Sequence, residues 1–491
     1  MKKQHLQPSS GSAGRPRRKA ASKKAASKKA ASKKAALRKA SSPATLDPVT
    51  HPDAAGIDVG AEEFVAAVPP GRCPDPVRSF TSFTSGVEAL RDWLLECRIT
   101  TAAMESTGNY WITLYDTLTA AGINVYLVNA RHVKCVPGRK TDVQDAQWLQ
   151  QLHAAGLLRK SFRPAPDIVP LRFLMRHRRE MIADCARHLQ LMQKSLTEMN
   201  LKIHHVFSDI DGNSARAIID AIIGGERDPD VLARLRDRRC RSSPDDIREA
   251  LRGDYRPEYL FVLRQSRDSW DHIQQAIASC DEQISQLAAR VATPVQSPPP
   301  APATGGPGQK RADKKANKNS PRFLIREEAW RFYGVDLSVV PGTGSGLLSS
   351  LMSELGTREQ ILANFRSAAA LASWLGLCPD NRISGGRILK AKTRKVKSPL
   401  AHAMRLAVFG LQNTDNRMGD YFRRMKGRLG KAEGLVATAH KLIRILYGMI
   451  KSQKPYDEAE AFHITPQNLA RRRRNLEKQA AAMGFQLVDA A

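Results

Sequence analysis

The sequence predicts an α/β domain with a mixed sheet, followed by an antiparallel helical hairpin and a mainly helical C-terminal domain. Three patterns predict this class: strands followed by alternating helices and strands in residues 51–165, two heptad-spaced apolar stripes in residues 166–296, and helical spacing in residues 325–455. The chain has 491 residues, of which 42% are hydrophobic, and this is enough for two or three domains that each bury a core.

The first predicted domain opens with strands and continues with alternating elements. Gly/Pro turns separate three short apolar strands, and apolar residues then recur at helical spacing in three later segments. The predicted order is strands at 55–60, 64–68 and 77–83, a helix at 87–97, a strand at 101–104, a helix at 110–121, a strand at 124–128 and a helix at 140–155. This order is typical of an α/β domain with a mixed sheet.

Two apolar stripes follow the first domain, with steps of three or four residues and one step of seven. Two such stripes, separated by a mixed segment, predict an antiparallel coiled-coil hairpin with a small helical tip. The first stripe comprises Leu174, Met181, Cys185, Leu189, Met192, Leu196, Met199, Ile203 and Val206, and the second comprises Trp270, Ile273, Ile277, Cys280, Ile284, Leu287 and Val291.

Three basic or Pro-rich segments are predicted to lie outside the folded domains. Residues 1–50 contain 14 Lys/Arg against one acid, and residues 21–35 repeat Ala-Ser-Lys-Lys-Ala. This composition predicts a disordered basic arm that attracts phosphates without reading sequence. A solubilising tail is the alternative for this segment. Residues 297–324 form a Pro-rich and basic linker, and residues 456–491, which include Arg471–Arg474, form a basic tail.

The net charge points to a polyanionic partner. The chain has 78 Lys/Arg against 48 Asp/Glu, a net charge of +30, of which +17 lies outside the arm. Such an imbalance indicates nucleic acid or a membrane surface. No stretch reaches the ~18 apolar residues of a membrane span, and no apolar secretory segment follows the first basic residues. We therefore expect a soluble, intracellular protein, and seven scattered cysteines indicate reduced thiols.

Four carboxylates stand at predicted strand ends and on one predicted helix. Asp58 lies in the first strand, and Glu105 ends a later strand in Met-Glu-Ser-Thr-Gly-Asn-Tyr-Trp. Asp142 and Asp145 lie three residues apart in Lys-Thr-Asp-Val-Gln-Asp-Ala, so they share one helix face. Carboxylates that converge in this way can hold two Mg²⁺ ions for phosphodiester cleavage, because hard cations bind oxygen ligands.

A simpler interpretation exists for the helical pair alone. Asp142 and Asp145 can be solvated helix residues paired with Arg139 or Lys140. Asp58, in an otherwise apolar strand, has no such structural explanation.

A strongly basic stretch surrounds Ser384 in the predicted C-terminal domain. Two glycines follow Ser384 and allow another backbone to approach closely. A hydroxyl in a positive field can attack a phosphodiester if a base or a metal takes its proton, whereas a turn residue is the simpler interpretation. The seven Lys/Arg of this stretch, with no acid among them, predict nucleic-acid binding. They are Arg382, Arg387, Lys390, Lys392, Arg394, Lys395 and Lys397.

A Gly-rich segment, Val-Pro-Gly-Thr-Gly-Ser-Gly at 340–346, precedes a predicted helix at 347–355. This arrangement looks like half of a helix-hairpin-helix, whose turn offers backbone N–H groups to a phosphate. A plain turn between two helices explains the same residues.

Three of these motifs resemble the blocks of the DEDD transposases of the insertion-sequence-110 family. They are Gly-Ile-Asp-Val-Gly, Met-Glu-Ser-Thr-Gly-Asn-Tyr-Trp and Lys-Thr-Asp-Val-Gln-Asp-Ala, and Gly-Gly-Glu-Arg-Asp-Pro (224–229) and the coiled coil also fit that family. The resemblance implies a RuvC-like, RNase H-type fold for the first domain. It assigns Asp58, Glu105, Asp142 and Asp145 as a metal-binding tetrad for Mg²⁺.

The resemblance extends to the second half of the chain. The stretch from Trp374 to Arg387 is similar to the C-terminal transposase domain of the same family, whose Ser-Gly motif supplies a nucleophilic serine, here Ser384. The chain departs from the family in one motif, because Lys-Ser-Pro-Leu-Ala-His (397–402) replaces the family-typical Lys-Gly-x-x-Leu-Arg. This replacement changes residues that would contact a phosphate near Ser384 in the family.

The resemblance implies an enzyme of DNA transposition with several partners. These are donor and target DNA, a structured noncoding bridge RNA that pairs with both, and further copies of the chain in a dimer or tetramer, with no membrane partner. A transient phosphoserine link to DNA and a cytoplasmic, nucleoid-associated location in a bacterium are also implied.

Two alternatives stay open from the sequence. A RuvC-type nuclease would cleave DNA with metal-activated water and use Ser384 only structurally. A non-catalytic nucleoid-binding protein would account for the lysine-rich arm, but it would leave the four carboxylates unexplained.

Overall fold

We describe the protein from a computed structural model. It describes residues 49–106, 108–129, 142–291, 319–394, 396–463 and 466–486. The chain divides into two compact units, Met1–Arg163 and Pro164–Ala491. The predicted arm up to residue 48, most of the predicted linker and the end of the predicted tail lie outside the described residues. Within the described ranges, no helix combines the length and the apolar character that a membrane crossing requires.

The first unit is built on a mixed five-stranded sheet. Strands β1 (Ala54–Val59), β2 (Glu63–Ala67) and β3 (Val77–Thr81) pair antiparallel, whereas β4 (Thr101–Glu105) pairs parallel with both β1 and β5 (Asn124–Val128). The strand order is β3-β2-β1-β4-β5. The α/β class and mixed sheet that the sequence predicted are therefore confirmed.

Helices cover both faces of this sheet. Helices α1 (Thr84–Glu96) and α2 (Trp111–Ala120) pack on one face, where Ile57 and Met104 belong to the larger apolar core. Helix α3 (Asp142–Ala154) packs on the other face, against Ala103 among others. Because side chains alternate along a strand, Gly56 and Asp58 face α3, opposite to Ile57.

Helix α3 lies in direct backbone contact with strand β1. A Cβ atom added to Gly56 would lie 2.2 Å from the backbone N of Gln150 and 2.3 Å from the carbonyl O of Ala146. At the other end of the helix, the Ala154 carbonyl accepts hydrogen bonds from the N–H groups of Thr50 and His51. Helix α3 therefore runs antiparallel to β1, and its first turn lies toward the carboxyl end of that strand.

Two long helices open the second unit. Helices α4 (Ile168–Glu198) and α9 (Pro257–Val291) pack together with the Arg178 guanidinium 2.5 Å from the Asp281 carboxylate. They run antiparallel, because the Cys280 thiol contacts the Leu174 carbonyl while Gln274 contacts the Cys185 sulfur. Both partners of the Arg178–Asp281 pair are buried, so loss of either side chain would leave a charge uncompensated.

Helix α4 ends earlier than the apolar stripe in the sequence predicts. The stripe continues to Val206, but the helix ends at Glu198 and Asn200 adopts a left-handed φ of 58°. Residues Ile203–Val206 instead form a separate short helix, α5, because the turn at Asn200 redirects the chain. Three more helices complete this region before α9: α6 (Asn213–Ile223), α7 (Pro229–Arg234) and α8 (Pro244–Ala250).

The rest of the second unit is mainly helical. Its elements are α10 (Ile325–Tyr333), a 3₁₀ turn (Leu337–Val339), α11 (Ser345–Leu355), α12 (Arg358–Asn364), α13 (Ala368–Trp374), β6 (Arg382–Ser384), β7 (Arg387–Lys390), α14 (Pro399–Phe409), α15 (Arg417–Leu429), α16 (Lys431–Ser452), α17 (Glu458–Ala461) and α18 (Pro466–Ala482). Helix α16 buries Leu442, Ile443 and Leu446 against its neighbours. The two-stranded hairpin β6–β7 was not predicted from the sequence.

Candidate active site

Two of the predicted site carboxylates stand at matching positions on adjacent strands. In the parallel pair, Ile57 of β1 lies opposite Met104 of β4. Asp58 and Glu105 each follow by one residue, so both stand at the carboxyl end of the paired region. By strand alternation both face α3. The backbone register therefore brings these two carboxylates to one edge of the sheet.

The first turn of helix α3 approaches the same edge. Because Ala146 lies over Gly56, the residues that precede Ala146 in the helix extend toward Asp58. Asp145 is one of them, and the helix begins at Asp142. The backbone thus supports the predicted convergence of two strands and one helix, while the Asp142 side chain lies outside the described residues.

The exposure of these acids sets them apart from their strands. Asp58 is the one half-buried residue in β1, whose other five residues are buried, and Glu105 likewise ends four buried residues in β4. Asp145 is also half-buried. Within the described part of the chain, no three His, Cys, Asp or Glu side chains are grouped closely enough to hold a metal ion. Carboxylate oxygens nevertheless suit a hard divalent cation, and the strand register places those of Asp58 and Glu105 where they can share one site.

A buried histidine anchors the opposite end of helix α3. The Thr101 hydroxyl donates to the Asn124 carbonyl at 2.8 Å, and it also lies 2.8 Å from Nε2 of His153. Since the Thr101 proton is already engaged, the Nε2–H of His153 donates to Thr101. Burial, together with the nearby His51, lowers the pKa of His153 to about 4. The hydrogen bond between the uncharged His153 and Thr101 fixes α3 on β4, at the end of the strand opposite to Glu105.

Ser384 lies in the second unit, at the tip of an exposed hairpin. Ser384 pairs with Arg387, and the two residues between them, Gly385 and Gly386, have φ values of 53° and 74°. Positive φ at both positions is the signature of a two-residue type I′ turn, which glycine adopts without strain. Ser384 is exposed, so its hydroxyl is accessible from solvent.

The basic residues around Ser384 are mostly exposed along the hairpin and the segment after it. Arg387, Lys392, Arg394 and Lys397 are exposed, while Lys395 and the side chains of Arg382 and Lys390 lie outside the described residues. The Arg394 guanidinium donates to the Ser373 carbonyl at 2.8 Å, at the end of α13. Arg394 thus attaches the base of the hairpin to a helix, whereas Arg387 pairs with Ser384 at the tip.

A glycine that the sequence patterns did not indicate positions this segment. Gly376 follows α13 with a φ of 68°, and an added Cβ would lie 2.6 Å from Cγ2 of Val396 and 2.9 Å from the carbonyl O of Arg394. A glycine directly after a helical segment is the signal that could have identified it. Gly376 allows the chain after the hairpin to return against the end of α13.

The two units therefore offer different chemistry. The first unit brings acidic oxygens together at a sheet edge, which suits binding of a divalent cation. The second presents a hydroxyl among exposed cations, which suits attack on a phosphate or contact with one.

Two family models match the chain. The DEDD-type model of the IS110 family, described as a transposase, matches residues 55–201, and the model described as "Transposase IS116/IS110/IS902 family" matches residues 336–423. The first range contains Asp58, Glu105 and α3, and the second contains Ser384. The DEDD class implies dependence on a divalent metal in general. No curated protein matches the chain significantly.

Proposed function

Since both matches support an IS110-family transposase, an enzyme that acts on DNA, we propose that the chain recombines DNA with a Mg²⁺-dependent DEDD site and a nucleophilic serine. Asp58, Glu105, Asp142 and Asp145 form the metal site in this proposal, and Ser384 is the nucleophile. The observation that carries it is the register of β1 and β4, which brings Asp58 and Glu105 to one sheet edge beside the start of α3.

The carboxylates hold the metal and orient the reaction. Bound at these oxygens, two Mg²⁺ ions supply positive charge for the attacking and leaving oxygens of an in-line phosphoryl transfer. Asp58 and Glu105 are fixed by strand pairing, and Asp142 and Asp145 by the helix that packs on Gly56. Ligands on rigid elements keep their positions when the substrate arrives, which lowers the cost of reaching the transition state.

Ser384 forms the covalent link in this mechanism. Its Oγ forms a bond to the scissile phosphorus while the bond from phosphorus to one bridging oxygen breaks. The hydroxyl proton passes to a neighbouring base, and the leaving oxygen takes a proton to become a DNA hydroxyl. Attack by a hydroxyl of another strand then reverses the step, releases Ser384 and joins the new ends. The exposed Arg387, which pairs with Ser384 across the turn, holds the phosphate near the serine.

Assembly and guidance complete the proposal. The first domain is RuvC-like, and the α4–α9 pair acts as the coiled coil that brings subunits together in a dimer or tetramer. Ser384 of one subunit acts on the phosphodiester held at the metal site of another. A noncoding bridge RNA that pairs with donor and target DNA supplies the target sequence, in the cytoplasm beside the nucleoid. The +30 net charge supports contact with these polyanions.

A second candidate is a nuclease in which metal-activated water cleaves the strand. One observation favours it: the type I′ turn accounts for the Ser-Gly-Gly sequence as hairpin geometry alone. In that case Ser384 has a structural role and no covalent intermediate forms.

Strand exchange on a plasmid that carries donor and target sites tests the proposal. We expect Ser384→Ala and Asp58→Ala each to lower recombination by at least about 10³-fold, as loss of a nucleophile or a metal ligand does. Ser384→Ala with wild-type recombination would refute the serine mechanism. A readout besides activity is thermal unfolding, in which Mg²⁺ should raise the Tm of the wild type and of Ser384→Ala, but not that of Asp58→Ala.

A further inference from the structure

Two exposed aromatic side chains lie at the sheet edge that carries Asp58 and Glu105. Phe83 is 76% exposed and Tyr110 is 50% exposed. The proposed reaction uses neither residue. Single exposed apolar side chains are common on protein surfaces, but these two share one edge of the sheet and one kind of helix position.

Strand β3 ends at the same edge of the sheet as β1, and Phe83 follows it. Strand β2 pairs antiparallel with both β1 and β3, so β1 and β3 run in the same direction. The N–H group of Ser82, directly after β3, donates to the Glu62 carbonyl in the turn that follows β1. Phe83 is the next residue, so it lies at the carboxyl edge, two strands and therefore about 10 Å from β1.

Tyr110 lies at this edge on the other side of β1. Strand β4 pairs parallel with β1 and ends at Glu105, and the turn after it leads through Tyr110 into helix α2. The indole N–H of Trp111 donates to the Gly108 carbonyl at 3.1 Å, and a Cβ added to Gly108 would lie 3.2 Å from Cε2 of Tyr110. These contacts hold the Tyr110 ring in the turn that follows Glu105. The two aromatic residues therefore flank β1 along the edge.

Both residues occupy the N-cap position of a helix, where short polar residues are favoured. Phe83 precedes α1 and Tyr110 precedes α2, and neither side chain makes a capping hydrogen bond. Elsewhere the chain uses Asp228, Ser243 and Ser398 as N-caps, and each of these side chains accepts from a backbone N–H group. Such residues stabilise a helix start more than an aromatic residue does. Helix stability thus gives no reason for either ring.

Packing within the domain does not explain the two rings either. Among the described residues of the first unit, ring–ring contacts join other side chains, such as Phe80 and Trp93. Within that part of the chain, neither Phe83 nor Tyr110 takes part in one. Residues that break local stability rules concentrate at functional sites. Exposed aromatic rings stack on nucleic-acid bases, and every base has a face that can stack.

We propose that Phe83 and Tyr110 stack on unpaired DNA bases on either side of the phosphodiester held at the acidic edge. The substrate of this edge is then a locally unpaired DNA strand, because bases inside a closed duplex already stack on each other. The inference rests on the proposed function in taking DNA as the substrate of the carboxylates. Since stacking reads no base edges, the two rings select unpaired strands and carry no sequence preference.

Fluorescence anisotropy with the full chain compares two labelled DNAs, a duplex with a central bubble of unpaired bases and a fully paired duplex of equal length. Both are measured at a salt concentration that screens the arm. We expect Phe83→Ala and Tyr110→Ala each to weaken bubble binding about tenfold, with the affinity for the paired duplex unchanged. Tyr110→Phe keeps the ring and should keep wild-type affinity. Phe173→Ala is the matched control, since Phe173 is an aromatic residue of α4 with 70% exposure.

A capping variant separates loss of the ring from loss of the fold. Phe83 has φ and ψ of −68° and 158°, the extended conformation that an N-cap residue adopts. Phe83→Ser should therefore raise the Tm, because its hydroxyl can cap α1, and it should still weaken bubble binding as Phe83→Ala does. Wild-type bubble affinity in Phe83→Ser would contradict a role for the ring.

The other outcomes separate this pair from the serine mechanism. Wild-type bubble affinity in both Phe83→Ala and Tyr110→Ala would overturn the proposal, and an equal loss for the paired duplex would overturn the selection of unpaired strands. A loss confined to single-stranded RNA of equal length would overturn the choice of DNA. Ser384→Ala should keep wild-type bubble affinity. If Ser384→Ala recombines normally while Phe83→Ala still weakens bubble binding, the serine mechanism fails and the stacking pair stands.

Discussion

The two candidate reactive regions are held in place by different means. Asp58 and Glu105 belong to a parallel strand pair, and helix α3 lies against that pair at backbone contact distance over Gly56. Ser384 belongs to an exposed two-stranded hairpin whose turn is set by Gly385 and Gly386. From this contrast we expect the acidic edge to tolerate less change in its backbone than the hairpin does.

The largest expected effect is at the glycine beneath the helix. In Gly56→Ala the new Cβ meets backbone atoms of Gln150 and Ala146, neither of which can rotate away. We expect the first unit to lose about 3 kcal/mol of stability, and strand exchange to fall with it, because α3 carries Asp142 and Asp145. Urea unfolding followed by circular dichroism measures the change. A loss below about 0.5 kcal/mol would show that α3 can shift freely on the sheet.

A smaller effect concerns the histidine that anchors the other end of α3. The pKa of His153 is lowered to about 4, below its ordinary value of 6.5, so the folded state resists its protonation. The stability that this supplies is complete above about pH 6.5 and is lost as the pH falls toward 4. Between pH 7 and pH 5 we expect a loss of about 2 kcal/mol.

Thermal unfolding at several pH values checks this dependence. His153→Gln should flatten the decline in stability between pH 7 and pH 5, whereas His272→Gln, at an exposed position in α9, should leave it in place. An equally steep decline in His153→Gln would assign the pH dependence to other groups.

The smallest effect is expected at the hairpin. Gly385→Ala places a Cβ at a φ of 53°, which costs about 1 kcal/mol and opens the turn. Gly385→Asn is the matched control, since Asn is favoured at the first central position of a type I′ turn. We expect strand exchange to fall in the alanine variant and to be nearly retained in the asparagine variant. Equal activity in both would mean that the turn geometry does not position Ser384.

Much of the first unit could be predicted from local sequence. The apolar run of β1 is interrupted at Asp58 and that of β4 ends at Glu105, and these two positions predicted the acidic edge. The close approach of α3 could not be predicted, because it depends on Gly56 meeting a helix about 90 residues later in the chain.

The second unit departed from its sequence pattern in two places. The apolar stripe continues beyond the end of α4, so it overestimates the length of the helix. Heptad spacing of apolar residues gives no indication that Asn200 adopts a left-handed conformation. Hairpin β6–β7 was not predicted although a Gly-Gly pair is a hairpin signal, because its strands span only 3 and 4 residues and are too short for a clear alternating pattern.

In the proposed mechanism, Ser384 of the exposed hairpin attacks a phosphodiester held at the acidic edge. A nicked suicide substrate that releases its cleaved end by diffusion measures this directly, because it traps any covalent protein–DNA adduct. We predict a Mg²⁺-dependent adduct whose peptide map assigns the link to Ser384, with none formed by Ser384→Ala or Asp58→Ala. DNA cleavage that continues in Ser384→Ala without an adduct would contradict the account and favour hydrolysis by water.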